Sequence, residues 1–236
     1  PQSNTMLGLA VAGPKSRKLM QKVTGQDFST KVFKFMSMKQ VPVGLVDCLV
    51  GRISYTGDLG YEIWMEAYNQ RTVFECLLRE GEEFGIGLFG NRALNSLRLE
   101  KNYGSWVREF RPIYSPLETG LGPFVAYEKE ADFIGKKEAL KERDEGGKLR
   151  LRAFVVDAKD ADVIGDEPIW FESEVKGWVT SGGYAHASGV SVAMGYVPKQ
   201  IADEEKGWEI EILDERRASK LQKRPLFDPD ARIMRG

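Results

Sequence analysis

Val50-Gly-Arg-Ile-Ser-Tyr-Thr-Gly-Asp-Leu-Gly-Tyr-Glu-Ile-Trp-Met65 reads as a β-hairpin. Ile53 and Tyr55 share one face of a first strand, Thr56 to Gly60 turns the chain, and Tyr61, Ile63 and Met65 share a face of the second. That period of two is what a half-buried strand requires. Just downstream, Val73, Cys76 and Leu77 mark an amphipathic helix that closes near Gly81, with more helix toward Phe84. Another helix is predicted from about Asn91 to Lys101, with Leu94 and Leu97 on one face. Upstream, Leu7 to Ala12 is a strand and Gly13-Pro14 a turn that puts Pro14 at the first helical position. Leu19, Met20 and Val23 then form the stripe of a helix capped at Gly25. Strands and helices in this order predict an α+β fold in which mixed sheets are backed by helices.

The pattern changes along the chain. Tyr114 to Pro123 is punctuated by Pro and Gly and should be irregular. Phe133-Ile-Gly135 opens a helix that ends in the charged stretch Lys141 to Lys148, the expected domain boundary. Beyond it Leu149, Leu151, Ala153 and Val155 alternate, and β-type runs follow at Pro168–Phe171, Val175–Thr180, Ser191–Val197 and Trp208–Leu213. Several short strands without long helices predict a small antiparallel β-barrel or sandwich. The expected division is therefore residues 1–140 and a C-terminal barrel over 149–236.

Composition narrows the function classes. The 236 residues are 29% charged and 42% hydrophobic, an ordinary folded composition. Lys plus Arg (34) nearly cancels Asp plus Glu (35), so no positive field exists to hold a nucleic-acid backbone. No apolar run approaches the roughly 20 residues of a membrane-spanning helix. Cys48 and Cys76 show no paired spacing and read as core thiols of a reducing compartment, the cytoplasm or a mitochondrial matrix. His186 is the only histidine and no Cys cluster joins it, so no His/Cys metal site is expected. Phosphate-loop and dinucleotide fingerprints are absent. The opening Pro1-Gln-Ser-Asn is neither a signal peptide nor an initiator Met, and the chain is expected to begin inside a longer protein.

Candidate chemistry is sparse. Glu62, among Tyr61, Ile63 and Trp64, could accept hydrogen bonds from a flat, donor-rich ring. Alternation alone puts Glu62, Trp64 and Glu66 on the solvent face of the strand, and surface carboxylates are the commoner case. Tyr55 could contact a ligand or be a core tyrosine, and Tyr103, just past a helix end, is equally open. Arg98 and Glu100 fit structural ion pairs better than catalysis, and His186 fits a loop bystander.

Six segments in order resemble one family. Arg52-Ile-Ser-Tyr-Thr-Gly-Asp-Leu-Gly-Tyr-Glu-Ile63 resembles the R-x-[SG]-Y-T-G-E-x-G-[YFW]-E motif of the glycine cleavage T-protein superfamily, and Asn95-Ser-Leu-Arg-Leu-Glu100 resembles its D-S-L-R-L-E helix. Ser115–Leu121, Phe133–Lys136, Gly177–Gly182 and Val192–Pro198 follow in family order, so the likeness runs from Gly8 to about Pro229. Val32-Phe-Lys-Phe35, Arg98-Leu-Glu-Lys101 and Ala131–Lys136 lean toward the C-terminal module of dimethylglycine and sarcosine dehydrogenases. The resemblance implies a tetrahydrofolate-binding, aminomethyltransferase-like fold lacking its N-terminal part. It further implies a folate and a small methylated amine or its iminium as partners, with FAD only in an upstream flavin domain. Carried over by motif, Tyr55 and Glu62 match pterin-contacting residues, Tyr103 matches a further folate-side tyrosine, and Arg232 matches a tail residue more loosely.

Two departures qualify what the resemblance implies. Leu94 stands where T-proteins carry an arginine, and Arg92, two residues earlier, is about 200° around the helix. The family's catalytic aspartate precedes anything in this chain, so none of these residues is expected to be catalytic and the fragment is expected to be inactive alone. A stand-alone glycine cleavage aminomethyltransferase and a non-catalytic folate-binding or regulatory relative are the alternatives. The K-G-C-Y-x-G-Q-E motif of the iron–sulfur assembly branch is absent.

Overall fold

A computed structural model describes all 236 residues. The chain forms two compact units, Pro1–Leu94 with Asp228–Gly236, and Asn95–Phe227. No helix is long and apolar enough to cross a membrane.

The first unit opens with β1 (Met6–Ala12) and α1 (Ser16–Thr24), followed by β2 (Met38–Val43), β3 (Val46–Gly51), β4 (Gly60–Glu66) and α2 (Gln70–Gly81). A short 3₁₀ turn at Glu82–Phe84 extends α2 as expected. The strands form one antiparallel sheet in the order β1-β4-β3-β2. Pro14 lies outside the helix, before the cap residue Lys15. The reason is a turn in which the Ser16 N–H donates to Gly13 O at 3.0 Å while the Ser16 hydroxyl reaches Leu59 O at 3.0 Å. On one sheet face Leu19, Met20 and Val23 of α1 and Val73, Cys76 and Leu77 of α2 close over Val41, Val50, Tyr61, Ile63 and Met65. Phe28 packs edge-on against Phe33 and Tyr61, with ring centroids 5.0 and 5.3 Å apart. Two free cysteines, Cys48 and Cys76, are buried in this core.

The decisive hairpin differs in its first arm. Ile53 and Tyr55 do not continue β3, which ends at Gly51. Local side-chain bonds compete with the ladder there. The Ser54 and Thr56 hydroxyls lie 2.9 Å apart, the Asp58 N–H donates to Thr56 Oγ1 at 3.3 Å, and Gly57 sits at φ 78°. Strand β2 is not among the runs read from the sequence, and its Pro42 is a residue confined to sheet edges and bulges. It occupies the sheet edge, where a missing N–H costs no ladder bond.

The second unit takes in most of α3 (Asn91–Glu100), then α4 (Lys136–Glu145) and the strands β5 (Leu149–Val156), β6 (Pro168–Phe171), β7 (Glu174–Ala185), β8 (Val190–Pro198), β9 (Trp208–Ile212) and β10 (Glu215–Gln222). The strands close into an antiparallel barrel in the order β10-β5-β8-β7-β6-β9. Phe154, Ile169, Phe171, Val179, Trp208, Ile210 and Leu221 fill its interior. Strand β10, Glu-Arg-Arg-Ala-Ser-Lys-Leu-Gln, is too polar to read as a strand alone, and only pairing with β5 and β9 defines it. The α+β class and the C-terminal barrel are as expected. The buried face of α3 carries Ser96, Arg98, Leu99 and Glu100, whereas Leu94 and Leu97 are only half-buried. The chain returns to the first unit at Asp228, whose carboxylate accepts the N–H groups of Arg232, Ile233 and Met234 and starts α5 (Arg232–Arg235).

Candidate functional site

The sheet face opposite the helices carries the expected carboxylate. Strand alternation sends Tyr61, Ile63 and Met65 into the core and Glu62, Trp64 and Glu66 to the other side. Glu66 is exposed, but Glu62 and Trp64 are half-buried, which bare alternation does not predict. Glu62 sits opposite Ala10 of β1 and Gly51 of β3. Its flanks are therefore small and offer no counter-charge. Burial alone pushes the Glu62 carboxyl above its ordinary value, and no hydrogen bond or ion pair engages it. The carboxylate still reaches solvent, so a partly desolvated acceptor of this kind is open to donors from a ligand.

Trp64 lies between Gly8 of β1 and Leu49 of β3 in register. A Cβ on Gly8 would come within 3.2 Å of the indole Cδ1, and one on Gly51 within 3.0 Å of Cζ3. The ring thus spans β4 from one neighbouring strand to the other, with its five-membered ring over Gly8 and its outer edge over Gly51.

The other expected residues are placed as follows. Tyr55 is half-buried in the segment joining β3 to β4, the same connection that leads into Glu62. Arg232 begins α5 with its side chain 83% exposed and its guanidinium 3.5 Å from Asp230. That tail is fastened to the sheet, because buried Arg52 donates to Arg235 O and to Phe33 O, and Thr30 Oγ1 donates to Gly236 O at 2.8 Å. Tyr103 belongs to the second unit and is half-buried. A 680 Å³ cleft of the first unit, lined by Leu19, Leu77, Phe84, Ile86 and Leu94, includes neither Tyr55 nor Glu62.

Within the second unit, sequence reading assigned Arg98 a structural ion pair without its partner. Arg98 Nη1 donates to Glu109 Oε2 at 3.1 Å, with the two side chains 4% and 0% exposed. Glu109 also accepts from the Ser105 N–H at 2.7 Å, from Thr180 Oγ1 at 2.5 Å and from Ser181 Oγ. Burial would raise the Glu109 carboxyl, but the Arg98 charge and these donors outweigh it and hold it below its ordinary value. Arg98 Nη1 also donates to Tyr103 O at 2.9 Å, and the Tyr103 N–H returns a bond to Arg98 O at 3.0 Å. The backbone at Tyr103 is thereby fixed. Glu100 makes no ion pair. Its carboxylate accepts from the Ala187 N–H and Ser188 Oγ and ties down the turn that carries His186.

A four-stranded sheet backed by helices, joined in one chain to a six-stranded barrel, is the domain pair of a T-protein-type fold. Residues 1–129 match the family model described as the GCVT N-terminal domain, and residues 150–228 match the glycine cleavage T-protein C-terminal barrel domain. The chain belongs to the glycine cleavage T-protein family. It is 39% identical over 218 residues to the mitochondrial dimethylglycine dehydrogenase of Mus musculus, a match covering 92% of this chain and 25% of that protein. It is 31% identical to an aminomethyltransferase of Alkaliphilus metalliredigens, covering 93% of this chain and 58% of that one. The crystal structure of glycine cleavage system aminomethyltransferase T from Bartonella henselae shares the fold, with a TM-score of 0.83 at 24% identity over 95% of this chain and 60% of that one. The chain thus spans only part of these relatives.

Proposed function

We propose that the chain is a tetrahydrofolate-dependent one-carbon transfer module, forming the C-terminal part of a dimethylglycine or sarcosine dehydrogenase-like flavoenzyme whose flavin domain lies upstream. The observation that carries the reading is Glu62, half-buried on a strand, flanked by Ala10 and Gly51, and without a partner. Such a carboxylate fits a planar heterocycle rich in N–H donors, because ligand donors would replace the water it has lost. Tyr55, at the same connection, would border the ring, with Arg232 of the same unit as a further folate-side residue; the folate role of Tyr103 rests on the motif resemblance alone. When bound, tetrahydrofolate supplies a nucleophilic ring nitrogen that accepts a one-carbon unit from a methylated amine or its iminium. The protein's own part is orientation: holding the ring by its N–H edge fixes where that nitrogen faces.

The dehydrogenase assignment is supported by the 39% identity to a dimethylglycine dehydrogenase and by the apolar Leu94. The 31% identity to an aminomethyltransferase keeps the glycine cleavage enzyme as the second reading. Assigning residues 1–140 to the folate region and 149–236 to the barrel domain goes with this proposal, as does the chain's inactivity when isolated. The test is calorimetric titration of folinic acid into the full-length protein and its Glu62→Ala variant. Loss of binding in the variant is expected. Equal binding by both would remove Glu62 from the site.

A further inference from the structure

We infer that Trp64 is the ring-binding platform of this site and selects for the pterin half of the folate; the inference rests on the folate reading above. Two observations carry it, one steric and one of strand register. The indole can lie across β4 only because β1 and β3 present glycines beneath it: a Cβ on Gly8 would stand 3.3 Å from Nε1 as well as 3.2 Å from Cδ1, and one on Gly51 would stand 3.1 Å from Cη2 and 3.0 Å from Cζ3. Contacts that short are too tight for an ordinary side chain, so any larger residue at Gly51 would displace the ring. Second, Trp64 and Glu62 are alternate residues of one strand and share one face, and both are half-buried.

The chemistry of the pair is complementary to one kind of ligand. Neither the indole N–H nor the Glu62 carboxylate is engaged by the protein. An aromatic face favours an offset-stacked flat ring. A flat apolar surface beside an unpaired acceptor matches a bicyclic heterocycle with donors along one edge. It does not match the flexible, acidic glutamate tail of a folate, which Glu62 would repel. Trp64 therefore reads the ring, and Glu62 reads its edge.

The experiment uses the full-length protein and three probes: folinic acid, a simple pterin, and p-aminobenzoylglutamate, which lacks the pterin. Trp64→Ala should weaken folinic acid and the pterin about tenfold, the loss of one stacking partner. Trp64→Phe should keep most of the affinity, and p-aminobenzoylglutamate should bind both variants as it binds the parent. Gly51→Ala, which retains the indole but moves it, should fall with Trp64→Ala. Tryptophan emission quenched by folinic acid in the parent should lose that component in Trp64→Phe. Unchanged folinic acid affinity in Trp64→Ala, with Glu62→Ala defective, overturns the platform and leaves the carboxylate reading standing. A fall confined to p-aminobenzoylglutamate also overturns it. If the parent takes up no folinic acid, both readings fail together.

Discussion

Replacing Glu109 by Gln tests how the second unit is held together. Glu109 is fully buried and is the only counter-charge on Arg98, which is itself 4% exposed. The amide keeps the shape and one acceptor oxygen for Thr180 and Ser181, and Arg98 keeps Asn95 Oδ1 and Tyr103 O as acceptors. What disappears is the charge, together with the second acceptor, Oε2, that takes Arg98 Nη1 and the Ser105 N–H. Breaking a buried pair from one side costs about 3–5 kcal/mol, and the retained acceptors argue for the lower end. At about 3 °C per kcal/mol for a chain of this size, the melting temperature should fall by roughly 10 °C at pH 7. The pH dependence fixes the cause. The Glu109 carboxyl is held below its ordinary value of 4.5 in the fold. Its contribution is therefore fully present above 4.5 and is lost as pH falls through the lowered folded value. Melting of parent and Glu109→Gln, followed by circular dichroism from pH 7 to pH 3, should show a gap that narrows only at the acid end. The double variant Arg98→Met/Glu109→Leu should recover most of the loss, since it leaves no orphaned charge. A gap below 1 kcal/mol at pH 7, or one constant with pH, would refute the buried-pair argument.

Glu62 carries the opposite sign. Its carboxyl is raised by burial, so its ionised form destabilises the fold as pH rises above the ordinary 4.5. Glu62→Gln should consequently melt no lower than the parent at pH 7 while losing folinic acid; a lower melting point would show that the carboxylate has a structural partner. In the same core, burial raises the Cys48 thiol to about 11. Iodoacetamide at pH 8 should leave Cys48 unmodified in the folded protein and label it in urea, read by peptide mass; rapid native labelling would contradict its placement.

Alternation in Tyr61-Glu-Ile-Trp-Met65 was sufficient to assign two faces to one strand, because side-chain direction along a strand is a local property. The α1 stripe of Leu19, Met20 and Val23 and the alternating start of β5 were legible for the same reason. Strands β2 and β10 were not. Pro42 and the charged β10 carry weak local preferences, and their partners across the sheet define them. The Arg98 helix pattern indicated an ion pair, but Glu109 lies in a Gly- and Pro-rich stretch with no periodicity to give its direction.

The residues alone thus determined the α+β class, the barrel and the T-protein kinship, since these rest on periodicities and motifs written along the chain. Tertiary structure decided what Glu62 and Trp64 experience. Strand pairing sets Ala10 and Gly8 of β1 and Gly51 of β3 beside them, and a carboxylate's desolvation is a property of what surrounds it, not of the strand that carries it.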